Sequence, residues 1–392
     1  MLDLAAVKRQ LNEMAREQIA RRDDFAHRIA EALMELRRWD DSWEQLTAKV
    51  ARSKTSWLLA DLTEQLSARY PAPTPPRPLT VLATDGSQIF PDRHEVALCY
   101  LLNIGIVALH YGTGERPILK SQPYLHYRED DLYERWGGRK VLVNPDIVSV
   151  RRHLLELETL VGLATECNMD GRPKVALVDG TLILWRLEGM PDDFSTRAVQ
   201  RLCGALSQLR ALSIPIAGYI SSPGSTDVVN ALRVGLCPYD APNCDRCEYR
   251  DELASAPCAV IEGITDQAIF SRILNRGERT QLFGSASRIL EQYGEHRVMF
   301  YYVHVGAEVA RVEVPLWVAR DESLLNLIHS AICDQAEKGN GYPVALSEAH
   351  ERAVVRGRDR ELFYRMLEET FIQHNLRISV SLKMLAKRAP GV

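Results

Sequence analysis

No apolar run in the 392-residue sequence approaches the length that spans a bilayer, so nothing in it predicts a membrane helix. The start, MLDLAAVKRQLNEMAREQ, lacks the basic, apolar and small-residue zones of a secretion signal, and the expectation is a cytoplasmic protein. There is no G-x4-G-K-[ST] loop to cradle a nucleotide, which argues against ATP hydrolysis by this chain itself. An excess of positive charge is also missing: the net charge is −4, which gives no global attraction to nucleic acid but leaves room for a local basic groove. Cysteine is sparse, with eight residues, too few for a disulfide scaffold in a chain of this size. Cys99, Cys167, Cys203 and Cys333 stand in apolar or helical settings and read as packing residues.

Glycine and proline are absent before Pro71. Leu4, Val7, Leu11, Met14, Ile19, Phe25, Ile29, Leu33 and Leu36 recur there at three-to-four spacing, which predicts an amphipathic helical arm, a hairpin, over residues 1–70. That arm could pack on its own domain or serve a partner. PAPTPPRP at 71–78 is a stiff extended linker, and residues 79–392 form the main domain.

What the main domain does have is a repeated unit. Leu79–Ala83 is a β-prone run leading to Asp85-Gly86-Ser87, and Lys174–Val178 leads in the same way to Asp179-Gly180-Thr181. A carboxylate at a buried strand's end, with a glycine letting the backbone turn beside it, is a common way to hold a divalent cation, although most Asp-Gly pairs are simply turns. Between the two, segments at 96–110 and 116–127 predict antiparallel strands, and Val148–Cys167 predicts a helix. On that helix Glu158 has Leu154, Leu155 and Val161 at its three- and four-spaced positions, whereas Glu156 has Arg152, His153, Thr159 and Leu160. An acid on an apolar face is costly unless paired or metal-bound, so Glu158 is the favoured third carboxylate, a salt-bridged or edge-exposed glutamate being the other reading of it, and Glu156 reads as a surface residue. His350 lies on the predicted buried side of a late helix. The acidic cluster Glu129–Glu134 reads as a solvated turn.

Cys237, Cys244, Cys247 and Cys258 are spaced C-x6-C-x2-C-x10-C, with a knuckle able to grip one ion and two flanking thiols to close the shell. A structural Zn2+ is the first expectation and an iron-sulfur cluster the second. Arg276, Arg279 and Arg311 are candidate phosphate contacts, each equally readable as a surface ion pair. The order of strands, helix and acids resembles the ribonuclease H-like fold: an α/β mixed sheet flanked by helices, here with an N-terminal helical arm and C-terminal helices.

ATDGSQIF at 83–90, LVDGTLI at 177–183, TDQAIFSRILNRGERTQLF at 265–283, VARVEVPLWV at 309–318 and GYPVALSEAHERAVV at 341–355 together resemble the NurA nuclease family. The resemblance implies a manganese- (or magnesium-) dependent DNA nuclease with 5′ to 3′ exonuclease and single-strand endonuclease activity. It further implies a homodimer that works with a HerA-type hexameric translocase in DNA end resection and double-strand break repair. Carried over by position, Asp85 and Asp179 match the family's strand-end ligands and His350 falls in its C-terminal helical motif. Ser221-Ser222 stand where the family often has a basic residue. The rival readings are an inactive DNA-binding or partner-regulating subunit of the same fold and a metal-dependent phosphatase or nucleotide hydrolase.

Overall fold

The computed structural model describes residues 2–376 apart from 93–94, 137 and 168–170; the end of the predicted main domain, 377–392, lies outside the described residues. Among them no helix is long and apolar enough to cross a membrane.

The chain opens with α1 (Leu4–Asp40) and α2 (Trp43–Arg52), followed by the short strands β1 (Ala60–Leu62) and β2 (Arg69–Pro71). The predicted helical arm therefore ends at Arg52, and its last part is strand. Next come β3 (Leu79–Ile89), β4 (Tyr100–Tyr111), β5 (Ile118–His126), α3 (Glu129–Leu132) and a small hairpin of β6 (Tyr133–Trp136) and β7 (Arg139–Leu142). Then α4 (Pro145–Cys167), β8 (Lys174–Asp179), α5 (Asp192–Ala211), β9 (Ile216–Ile220), α6 (Asp227–Leu236) and α7 (Asp266–Phe270) follow. The strands β10 (Glu278–Thr280), β11 (Phe283–Ser285), β12 (Val298–His304) and β13 (Val309–Pro315) precede α8 (Leu316–Ala319), α9 (Glu322–Lys338), α10 (Val344–Ala353) and α11 (Gly357–Gln373).

Packing divides these elements into two compact units. Among the described residues, one consists of those within 1–72, 220–291 and 298–313, the other of those within 73–219, 292–297 and from 314 onward. The boundary at Ala72–Pro73 falls in the proline-rich stretch, but residues 220–291 and 298–313 group with the N-terminal helices, which the sequence reading had kept apart from them.

The first unit is built on one apolar cluster. Ile29, Ala32 and Leu36 of α1 join Leu46 and Val50 of α2, Val228 and Leu232 of α6, and Phe283, Phe300 and Tyr302. The first half of α1 is different: Leu4, Leu11, Met14 and Ile19 are exposed. Within the unit's core sits a charged network. Arg311 lies over the Phe300 ring at 3.7 Å and bonds to Glu313 at 3.0 Å and Asp227 at 3.2 Å. Asp266, fully buried, accepts the Val228 and Val229 N–H groups that open α6 and the Tyr302 hydroxyl. Burial, and then the neighbouring Asp227, push its pKa up to about 7. Ser221 and Ser222 bind the Glu308 carboxylate.

Arg311 is 3% exposed and Arg279, set against the Tyr70 ring at 4.2 Å, is 5% exposed. These two predicted phosphate contacts are thus structural; only Arg276 of the three is at the surface. Arg311→Ala leaves Asp227 and Glu313 as buried acids without their cation, and is expected to cost roughly 3–5 kcal/mol in chemical denaturation. Arg276→Ala should stay within about 1 kcal/mol of wild type in the same measurement.

The second unit carries the sheet order β5-β4-β3-β8-β9. β3, β4 and β5 form an antiparallel meander, while β8 runs parallel to β3 and β9 parallel to β8. The helices α4 and α5 supply the two crossovers that parallel neighbours require. Three meandering strands with the fourth beside the first make this a ribonuclease H-like fold. β3 is buried along most of its length, as its run of Leu79, Val81, Leu82 and Ala83 predicts for a central strand. It does not break at Asp85-Gly86-Ser87 but continues paired with β4 to Ile89.

Candidate active site

Strand alternation distributes the side chains of β3 between two helices. Thr84 and Gly86 face α4, where the Thr84 hydroxyl donates to the Glu156 carbonyl at 3.0 Å. Asp85 and Ser87 face α10, where the Ser87 hydroxyl donates to the Ala353 carbonyl at 2.5 Å. The parallel register sets Thr84 opposite Val178, so Asp85 and Asp179 follow at the same level on neighbouring strands.

Two glycines let the helices close on the strands. A Cβ on Gly105 of β4 would meet the Ala349 carbonyl oxygen of α10 at 2.0 Å, and one on Gly86 would meet Glu156 Oε1 at 2.4 Å. Gly86 is therefore not a turn residue. It is the gap through which a carboxylate from α4 reaches the Asp85 strand.

That carboxylate is Glu156, not Glu158. Glu158 holds Arg201 of α5 through two bonds of 2.8 Å, and its side chain is 40% exposed. Glu156 is buried, with Arg152 Nη1 at 3.3 Å from Oε1 and His153 Nδ1 at 3.7 Å from Oε2. Burial raises its pKa to about 8; Arg152 opposes the rise, and Asp85 and Asp179 add to it. The same influences reach Asp179, raised by burial and by Asp85 while a hydrogen bond from Tyr342 and the charge of His350 oppose them.

Asp85 Oδ1 accepts its neighbour Gly86's N–H at 2.8 Å, and Oδ2 lies 2.9 Å from His350 Nδ1. His350 is not on the buried side of α10 as its spacing suggested: its side chain is 59% exposed. The structure thus brings Asp85, Asp179 and His350 into mutual influence, adds Glu156 and leaves Glu158 out. A cleft of about 390 Å3 opens beside Asp179, lined among others by Arg152, His153, Thr181, Trp185 and Arg186. Arg152 also donates to the Gly86 carbonyl, which ties the cleft wall to β3.

Among the described residues no group of three or more His, Cys, Asp or Glu side chains is placed so that it could hold a metal ion as it stands. The donor chemistry nonetheless fits a hard divalent ion. Glu156 Oε1 is buried without a hydrogen bond, and its carboxylate is within electrostatic reach of Asp85 and Asp179, an oxygen-rich donor set of the kind that suits Mg2+ or Mn2+.

Protonation of Glu156 has a thermodynamic consequence. Its folded pKa is above its unfolded one, so its contribution to stability is complete below about pH 4.5 and is lost as pH rises through about 8. His153, held down to about 4 by burial and Arg152, acts in the opposite sense: its contribution is present above about pH 6.5 and lost as pH falls toward about 4. Between pH 6.5 and 8 only Glu156 of this pair changes its contribution. In chelator, wild type is expected to lose roughly 2 kcal/mol of stability across that window relative to Glu156→Gln. Parallel pH profiles of the two in thermal denaturation would contradict this.

A family model described as the NurA domain matches residues 79–355, well over half of the chain. The chain belongs to the NurA family. The NurA match takes in Asp85, Glu156, Asp179 and His350 and leaves the N-terminal helices outside. Among solved structures the chain is similar to the NurA nuclease from Sulfolobus solfataricus, at 12% identity over 78% of this chain and 88% of that one, with a TM-score of 0.46. A structure of NurA bound to dAMP and manganese is matched at 13% identity over 92% of this chain and 96% of that one, with a TM-score of 0.37. A type 1 RNase H with the type 2 active-site motif is matched at 12% identity over 40% of this chain and 69% of that one, with a TM-score of 0.20. A search of the curated proteins finds no match.

Proposed function

We propose that this chain is a divalent-metal-dependent DNA nuclease, with Asp85, Glu156, Asp179 and His350 as the metal-holding set. The observation that carries the reading is the buried Glu156 carboxylate, whose Oε1 has no hydrogen bond and which lies within electrostatic reach of Asp85 and Asp179, in a NurA-family chain. When bound there, manganese or magnesium supplies activation of water and stabilisation of the charge that develops in phosphodiester cleavage.

The chain's own groups do the positioning. Asp85 is fixed by the Gly86 N–H and His350, and Asp179 by Tyr342, so both carboxylates are oriented before substrate arrives. Arg152 balances charge at Glu156, and Arg186 brings a second guanidinium to the cleft wall; these replace Arg279 and Arg311 as the phosphate contacts we favour. Trp185, tethered to Thr181 through its indole N–H at 3.2 Å, offers a ring for a base at the strand end.

Family membership supports the finer reading: manganese as the preferred ion, 5′ to 3′ exonuclease and single-strand endonuclease activity, and work with a HerA-type translocase in end resection and break repair in the cytoplasm. The exposed Leu4, Leu11, Met14 and Ile19 of α1 supply an apolar surface on which a second copy could pair to give the homodimer. The test is incubation of the purified protein with end-labelled single- and double-stranded DNA in manganese, magnesium or chelator. Metal-dependent shortening of the DNA supports the nuclease. Binding without cleavage in any metal would instead leave the inactive, partner-regulating subunit.

A further inference from the structure

Residues 238–260 of the first unit have little to hold them in place. They contain the short 3-10 turns Cys244–Arg246 and Leu253–Ser255 and the start of Pro257–Ile261, no longer helix and no strand, and only Pro242 and Ala256 are buried. The backbone bonds of the turns are local, such as Arg246 N–H to the Asn243 carbonyl and Ser255 N–H to that of Glu252. A stretch this poor in core normally depends on a cross-link or a metal.

Lys54 N–H donates to the Pro242 carbonyl at 2.7 Å, and several of the segment's other attachments fall at or next to cysteines. Cys237 closes α6, and its carbonyl accepts Lys49 Nζ of α2 at 2.5 Å. Arg233, one turn earlier on α6, lies over the Trp57 ring at 3.8 Å and donates Nε to the Cys258 carbonyl at 3.1 Å. The Cys244 N–H donates to the Lys54 carbonyl at 2.9 Å, and Asn243 forms a bridge with Lys54. Cys247 follows three residues later in the same turn region, its carbonyl accepting the Arg250 N–H at 3.1 Å.

The four sulfurs are half-buried and free of disulfides. Cys244 lies within electrostatic reach of Cys237 and Cys247, and Cys258 within reach of Cys237 and Cys244, with the Arg233 guanidinium close to both. Cations beside such a group offset the negative charge that four thiolates place on one divalent ion.

We propose that Cys237, Cys244, Cys247 and Cys258 form a four-thiolate metal centre that fastens residues 238–260 to α2 and α6. Thiolates select zinc or an iron-sulfur cluster over the hard ions suited to the carboxylate site. Among the described residues no three of these thiols are placed so that they could hold an ion as they stand, so binding would have to draw them together, with metal–thiolate bonding supplying the free energy and the thiol protons released. This inference stands apart from the nuclease reading, because none of the four cysteines belongs to the unit that holds Asp85.

The experiment is elemental analysis of the full chain purified without chelator and without oxygen, together with the Asp85→Asn/Asp179→Asn and Cys333→Ser variants. About one zinc per chain, or iron with acid-labile sulfide and visible absorbance, is expected in all three, the two results distinguishing the ion. In Cys244→Ser/Cys247→Ser the metal should be lost and residues 238–260 should become the first site of limited proteolysis. Should that variant fail to fold, release of the wild-type metal by a thiol-modifying reagent gives the same information. Wild type without stoichiometric zinc or iron, metal that survives complete thiol modification, or a full complement in the double serine variant would overturn the proposal.

Discussion

Asp85→Asn is expected to lower metal-dependent cleavage of linear DNA by about a thousandfold, an effect of roughly 4 kcal/mol and in the range that a divalent ion contributes to charge stabilisation. The substitution keeps the size of the side chain and an oxygen able to accept the Gly86 N–H, so β3 and its pairing to β4 should be undisturbed. What it removes is the negative charge that both the ion and His350 would meet. Steady-state cleavage of an end-labelled duplex, with circular dichroism as a check on folding, measures this. A well-folded variant with wild-type rates would remove Asp85 from the metal site.

The second large effect separates two acids two residues apart. Glu156→Gln should lose activity by about a hundredfold or more, because a neutral amide cannot become the third carboxylate when the ion binds. Glu158→Gln breaks only a half-exposed ion pair with Arg201, and should leave the rate within about threefold. Gly86→Ala should follow Glu156→Gln, since its new Cβ would come within 2.4 Å of Glu156 Oε1 and displace that carboxylate. The same rates measured side by side decide the matter: Glu158→Gln falling with Glu156→Gln intact would restore the assignment made from sequence.

Sequence and structure point to different glutamates for physical reasons. Glu158 looked inward because its helical neighbours are apolar, but its partner Arg201 comes from another helix and no local pattern reveals it. Glu156 looked like a surface residue because Arg152 and His153 flank it. Those charged neighbours were in fact the signal, since both side chains turn with Glu156 toward the same buried site. The strand order was legible from the alternation of β-prone runs and helical periods, and the convergence of Asp85 and Asp179 from the repeat of a β-prone run leading into Asp-Gly, while their common level comes from the parallel register of β3 and β8. The role of Gly86 was not: an Asp-Gly pair reads locally as a turn, and only the approach of α4 shows the glycine serving a carboxylate. Arg279 and Arg311 were misplaced for a related reason. A cation alternating with apolar residues can face solvent or a buried acid, and Asp227 lies far away in sequence. His350 was misjudged in burial, because its helix packs through Ala349 and Ala353 against Gly105 and leaves the ring at the rim.

Direct manganese binding tests the central claim, that one set of carboxylates and a histidine in the second unit holds the catalytic ion. The free-ion electron paramagnetic resonance signal of Mn2+, followed during titration with protein at about pH 8, where Glu156 can give up its proton, reports the bound fraction. Wild type and Glu158→Gln should deplete the signal alike, while Glu156→Gln and Asp85→Asn/Asp179→Asn leave it nearly untouched. Equal depletion by the wild type and the double aspartate variant would contradict the account.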